Sequence, residues 1–157
     1  MAVAAQPARA GEVFRWAAEK ESIDIKAQIK QGPKMKMKTR VERINPYLDV
    51  SDLSASINYY VDVLGFELYV ETTELGIVER DGHQIHLSRS EESRDSQQIW
   101  IGVEDVEVLY EQYQESGAVI WQEPRNYPWA YQMAVKDLDG NRLIFGSEPK
   151  EMEPNQK

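Results

Sequence analysis

From Val41 onward the apolar positions of the chain fall into two periods. Leu53, Ile57, Tyr60, Val61 and Leu64 recur three or four apart behind Asp49-Val50-Ser51-Asp52, which predicts a helix with one apolar face, and Gly65 stands where a C-terminal cap belongs. Val106, Leu109, Tyr110 and Tyr113 repeat the pattern behind Gly102-Val103-Glu104-Asp105, with Gly117 closing it. Elsewhere the period drops to two. Strands are predicted over Glu42 to Asp49, Phe66 to Thr72, Leu75 to Arg80 and His83 to Arg89, and again over Gln98 to Val103, Ala118 to Gln122, Tyr131 to Lys136 and Arg142 to Ser147. The helix starts Asp52 and Asp105 lie 53 residues apart, and the Asp-Gly turns at Asp81 and Asp139 lie 58 apart, so the chain contains an internal repeat. Each half reads as strand, helix and three strands, and the polar run Glu91 to Ser96 joins them. Three consecutive strands after each helix exclude a doubly wound parallel sheet. The expected fold class is α+β, with tandem βαβββ modules at 41–90 and 98–148 forming curved mixed sheets around a cleft, and a ligand is expected in that cleft.

Charge divides the chain differently. Residues 1–40 carry nine basic and four acidic side chains, net +5; the whole chain is −9, so the other 117 residues are net −14. The first part has a weak helical pattern from Glu12 to about Gln31, ended by Gly32-Pro33, and then Lys34-Met35-Lys36-Met37-Lys38-Thr39-Arg40, which reads as a basic tether or as a start of translation at Met35 or Met37. It is taken as an N-terminal extension to a domain over 41–148, with 149–157 as a tail. The absence of Cys excludes disulfides, thiolate metal sites and cysteine nucleophiles, and the acidic balance argues against nucleic acid as a partner. No run approaches the roughly 18 apolar residues of a membrane helix, and Met1 to Arg15 lacks the pattern of a secretory signal, so a cytoplasmic location without membrane association is expected. The chain has no G-x-S-x-G, no G-x-G-x-x-G and no phosphate-binding G-x-x-x-x-G-K-[ST].

Three stretches carry a resemblance. They are Asp49-Val50-Ser51-Asp52-Leu53 with Tyr59-Tyr60 and Val63-Leu64-Gly65-Phe66; Asp137-Leu138-Asp139-Gly140-Asn141; and Pro128-Trp129-Ala130-Tyr131 running on to Asn141. In this order they resemble the vicinal oxygen chelate superfamily, which includes glyoxalase I, extradiol dioxygenases, fosfomycin resistance enzymes and bleomycin resistance proteins. The third stretch resembles the "PWG…DPxGN" segment of the bleomycin resistance branch, with Ala130 in place of Gly and Leu138 in place of Pro. The resemblance covers Val41 to Glu148 and implies a glyoxalase-like fold and a homodimer with clefts shared between subunits.

Enzymes of that superfamily hold a divalent cation at four positions, which by offset from the helix starts and Asp-Gly turns fall at Asn45, His86, Gln98 and Ile144. One imidazole, two amides and a hydrocarbon are a poor donor set for such an ion, so no metal and no other cofactor is expected. His83 cannot complete a pair with His86, because strand residues three apart face opposite ways; His86 should share the cleft face with Gln84 and Ser88.

Four Trp and eight Tyr against three Phe favour flat rings with polar edges. Trp100 shares strand parity with Gln98, Tyr47 with Asn45, and Trp129 lies in what reads as a loop, Asn126-Tyr127-Pro128-Trp129. By the resemblance, Trp129 matches the ring that stacks a drug's planar tail. The expected ligand contacts are Tyr47, His86, Gln98, Trp100, Trp129 and Tyr131, with Trp121 and Tyr60 assigned to packing. The leading expectation is a metal-free, non-catalytic binder that sequesters a planar, cationic small molecule such as an antibiotic. One alternative is a lyase, isomerase or oxygenase working from a non-standard site around His86. Another is an interaction module whose working part is the basic arm.

Overall fold

A computed structural model of the chain describes residues 38–92 and 95–151. The predicted helix from Glu12 and most of the basic tether lie outside these residues. The chain divides into Met1–Glu42 and Arg43–Lys157, and the second unit holds every element below.

Asp52 caps the first helix, α1 (Leu53–Asn58), by accepting a hydrogen bond from Ala55 N at 3.0 Å. The helix then widens into a single π-turn over Tyr59–Val63, where Leu64 N donates to Tyr59 O. Gly65, at φ +75°, ends it in the left-handed conformation the sequence pattern anticipates. The second helix, α2 (Val106–Ser116), repeats the design: Asp105 accepts from Glu107 N and Val108 N, and Gly117 closes at φ +83°.

The strands form two four-stranded mixed sheets. In the first, β1 (Tyr47–Val50), β2 (Glu67–Glu71), β3 (Leu75–Arg80) and β4 (His83–Arg89) are ordered β1-β4-β3-β2. In the second, β5 (Gln98–Gly102), β6 (Val119–Tyr127), β7 (Ala130–Lys136) and β8 (Arg142–Ser147) are ordered β5-β8-β7-β6. The outer strands β1 and β5 run parallel to β4 and β8, and the other pairs are antiparallel.

Two boundaries depart from the sequence reading. Strand β1 begins at Tyr47 rather than Glu42, because Pro46 has no N–H to give a ladder and contributes only its carbonyl, to His86 N. Strand β6 runs past the expected end at Gln122 to Tyr127. Pro124 is tolerated there because β6 is an edge strand whose register slips between Ile120 and Gln122 and again between Gln122 and Arg125. The expected loop therefore shrinks to Pro128 and Trp129.

Each sheet buries the face turned to the helices. Leu48, Val50, Ile85, Leu87 and Val78 from the first, and Met133, Val135, Leu143 and Phe145 from the second, join Ile57, Tyr60, Leu109 and Tyr113 in one core. Helix α1 seats on β3 at Gly76, where a Cβ would stand 2.7 Å from Ile57 Cδ1 and 2.9 Å from its Cγ1. Ile57 is itself buried and cannot swing clear. Gly76→Ala is therefore expected to lower stability by about 1 to 3 kcal/mol, read as a lower midpoint of urea unfolding. An unchanged midpoint would show that the helix is not pressed against this strand.

The modules are tied by polar contacts as well as by the core. Tyr59 Oη donates to Lys136 O at 2.9 Å and accepts from Val119 N at 3.1 Å. Tyr113 Oη donates to Leu64 O, and Arg80 Nη1 donates to the same carbonyl and to the Tyr113 hydroxyl. Burial pushes the Tyr113 phenol up to about 12 against the opposing charge of Arg80, which keeps it a donor at any physiological pH.

Candidate functional site

Strand register decides which side chains share the faces turned away from the helices. Residues paired directly across a ladder point the same way. In the second sheet, Trp100, Ile144 and Ala134 form one row; Gly102, Gly146 and Gln132 form the next; Gln98, Arg142 and Lys136 form the row on the other side. The first sheet presents Tyr47, His86 and Ile77 in one row and Asp49, Ser88 and Leu75 in the next.

Trp100 is the dominant feature of the second face. Its ring lies flat along the two glycines beside it: a Cβ on Gly146 would come within 2.7 Å of the ring, and one on Gly102 within 3.3 Å. No other residue type leaves room for that pose. The ring is nonetheless 54% exposed, so it forms a platform rather than part of the core. In the row of those glycines lies Gln132, 2% exposed, whose Oε1 has no hydrogen-bond partner. At one end of the face Trp129 stacks on Tyr127, centroids 5.1 Å apart and planes inclined by 21°, and the Arg125 guanidinium lies 5.5 Å from the Tyr127 ring.

Trp121 is not a packing residue. It is 40% exposed, with the Arg142 guanidinium 4.8 Å and Lys136 Nζ 5.9 Å from its ring centre. Arg142 Nε is buried without a hydrogen-bond partner. Trp121 shares the parity of Val119, which pairs with Lys136, so the pairing of β6 with β7 sets it beside these two cations.

On the first sheet His86 is held from two sides. Asn45 Nδ2 lies 3.3 Å from its Nε2, and the Tyr47 ring meets it edge to face at 4.6 Å. Because an amide N–H can only donate, Nε2 accepts and the ring proton belongs on Nδ1, which is buried without a partner. Gln98 is exposed at the start of β5. Its neighbour Gln97 makes the connection between sheets: Nε2 donates to Tyr47 O at 3.0 Å and Oε1 accepts from Asp49 N at 2.6 Å, so its amide lies along the open edge of β1.

Tyr131 does not join this group. It alternates with Gln132 and so turns to the helix side, where its hydroxyl donates to Glu107 of α2 and Lys150 Nζ lies 3.9 Å from its ring. Lys150 first, and then the Tyr131 hydroxyl, hold the Glu107 carboxyl below the ordinary range. His83 is exposed on the opposite face from His86.

A recess of about 330 Å³ lies at the ends of β1 and β4 and is lined by Asp49, Glu91, Glu92, Asp95 and Asp139, with Asn141. It contains no aromatic side chain. Among the described residues no three His, Asp or Glu side chains are grouped closely enough to hold a metal ion. No helix among them is long and apolar enough to cross a membrane.

The family model described as glyoxalase/bleomycin resistance protein/dioxygenase superfamily matches residues 41–145. The chain belongs to that superfamily. Its fold is similar to that of TioX from Micromonospora sp. ML1 (22% identity, TM-score 0.61, covering 69% of this chain and 99% of that one). It is also similar to a glyoxalase/bleomycin resistance protein/dioxygenase from Nocardioides (17%, TM-score 0.61, 88% and 99%) and to lactoylglutathione lyase from Agrobacterium tumefaciens (17%, TM-score 0.60, 69% and 96%). No curated protein matches the chain. At these identities the likeness is one of fold.

The donors at the superfamily's cation positions do not fit a divalent ion here. Asn45 directs its amide at His86 and occupies the lone pair a metal would need, Gln98 offers only an amide, and Ile144 is a buried hydrocarbon. None of the four is a carboxylate, and neutral amides offset little of the dehydration cost of such an ion.

Proposed function

We propose that the protein is a metal-independent, non-catalytic small-molecule binder of the bleomycin resistance type, which works as a homodimer and holds a planar ligand on the helix-free face of its second module. The observation that carries this reading is the Trp100 platform. A half-exposed indole lying flat on Gly102 and Gly146, beside the small floor of Ala134 and Ile144, gives a guest ring a stacking partner without asking any core group to move. The stacked Tyr127 and Trp129 bound the same face. Exposed Leu68, Tyr69 and Val70 on the edge strand β2 supply apolar surface for a second subunit.

The test is calorimetric titration with bleomycin and with a neutral naphthalene carboxamide, each with and without EDTA. Saturable binding of the carboxamide, unaffected by EDTA and at least about tenfold weaker in Trp100→Ala, is expected. Absence of heat with both compounds, or binding abolished by EDTA, would overturn the reading.

One observation favours a lyase, isomerase or oxygenase centred on His86: its Nδ1–H is buried and unpartnered, a donor for a substrate oxygen. That reading requires a tightly held metal in the purified protein, lost in His86→Ala, which elemental analysis would detect.

A further inference from the structure

We infer that the ligand of the second module's face is a planar anion, a fused aromatic ring system bearing a carboxylate; this rests on the planar-ligand reading above and adds the sign of the charge. Net charge points the other way, since residues 41–157 carry −14. A charge spread over a whole domain is screened beyond about 8 to 10 Å at physiological salt, however, whereas groups in contact with the ligand are screened far less. The local groups decide.

Those local groups are cations. Arg142 and Lys136 lie side by side in paired register, both close over Trp121, and among the described residues neither makes a salt bridge with a carboxylate. Arg142 Nε is buried with its proton unaccepted, a deficit that a bound oxygen would remedy. A carboxylate can take the guanidinium edge with two parallel hydrogen bonds, and Lys136 adds a second positive neighbour. A cationic ligand seated on Trp100 would instead meet two like charges at close range.

The opposite end of the face asks for a donor. Gln132 Oε1 is unpartnered on a side chain that is almost wholly buried. It faces Gly146 across the ladder, four residues along β8 from Arg142, or about 13 Å of strand. The ligand is therefore read as two or three fused rings lying on Trp100, with a carboxylate toward Arg142 and a hydroxyl or N–H toward Gln132.

The experiment compares three ligands of one ring and different charge: a naphthalene carboxylate, the matching carboxamide and naphthylmethylammonium, titrated calorimetrically into the full chain. The carboxylate is expected to bind about tenfold tighter than the amide, with the ammonium weakest. Arg142→Gln should remove most of the carboxylate's advantage over the amide. Lys136→Gln, which keeps Arg142, should lower carboxylate affinity less, and added salt should weaken only the carboxylate. Equal affinities, or preference for the ammonium, would overturn the anion inference while leaving the planar-ligand reading intact. Failure of all three to bind at millimolar concentration would overturn both.

Discussion

Asp137→Ala is expected to remove about 3 to 5 kcal/mol of stability, enough to leave much of the protein unfolded at moderate urea. The carboxylate is buried at the turn between β7 and β8 and is the acceptor for four donors: Tyr60 Oη, Asn141 N, Asn141 Nδ2 and Asp139 N, at 2.8 to 3.1 Å. Two of those donors belong to chains of contacts that cross between modules. Tyr60 is fully buried in α1's continuation, and Asn141 also donates to Asp49 O while its Oδ1 accepts from Gln97 N. Truncating the carboxylate strands buried donors on both sides of the junction, and each costs about 1 to 3 kcal/mol when left unmade. Asp137→Asn keeps one acceptor oxygen and should cost less, and Tyr60→Phe, which removes one donor and strands nothing else, should cost about 1 kcal/mol.

The pH dependence carries an opposite sign to the usual carboxylate. Burial raises the Asp137 pKa above its ordinary 3.8, although Asn141, Tyr60 and Asp139 oppose the shift. A folded-state pKa above the unfolded one means that the fold holds the proton more tightly than the open chain does. This group's contribution to stability therefore grows as pH falls through its folded pKa and is lost as pH rises above it. Urea midpoints of the native protein and Asp137→Asn, followed from neutral pH to about pH 4, should move further apart as pH falls, the native protein gaining. A larger native advantage at neutral pH than at acid pH, at this site, would contradict it.

The repeat made most of the fold legible. Both N-caps, both glycine C-caps and the order of the strands follow from local chemistry: a short acidic side chain before an apolar period, a glycine after it, an Asp-Gly turn between alternating runs. What escaped was decided by neighbours that lie far off in the sequence. Pro124 reads as a strand breaker until β6 proves to be an edge, and only the pairing of Val119 with Lys136 sets Trp121 beside Arg142. Tyr131 sits in the stretch that resembles drug binders, yet its parity with the core-facing Met133 and Val135 sends it to Glu107. Gln97 looks unremarkable in the sequence, and only the open edge of β1 gives its amide two backbone partners. For the candidate site, strand parity groups Trp100 with Gln98 and separates His86 from His83. It could not show that glycines from two strands clear the ground on which Trp100 lies.

That ground yields the sharpest separation of binding from stability. Gly146→Ala places a methyl group within 2.7 to 3.0 Å of the Trp100 ring, at Cζ2, Cε2 and Nε1. Unlike Ile57 over Gly76, this ring has solvent on its other side and can rotate away, so the strain is relieved outward at the expense of the flat pose. The unfolding midpoint should therefore change by less than about 1 kcal/mol, because β8 keeps its ladder and Ala suits a strand at least as well as Gly. Affinity for the naphthalene carboxamide should fall by roughly tenfold, the equivalent of about 1.4 kcal/mol of lost stacking. Trp100→Ala should lower affinity at least as much, since there the ring is absent altogether. If Gly146→Ala binds as the native protein does while Trp100→Ala does not, the indole acts from some other orientation and the platform is not the binding element.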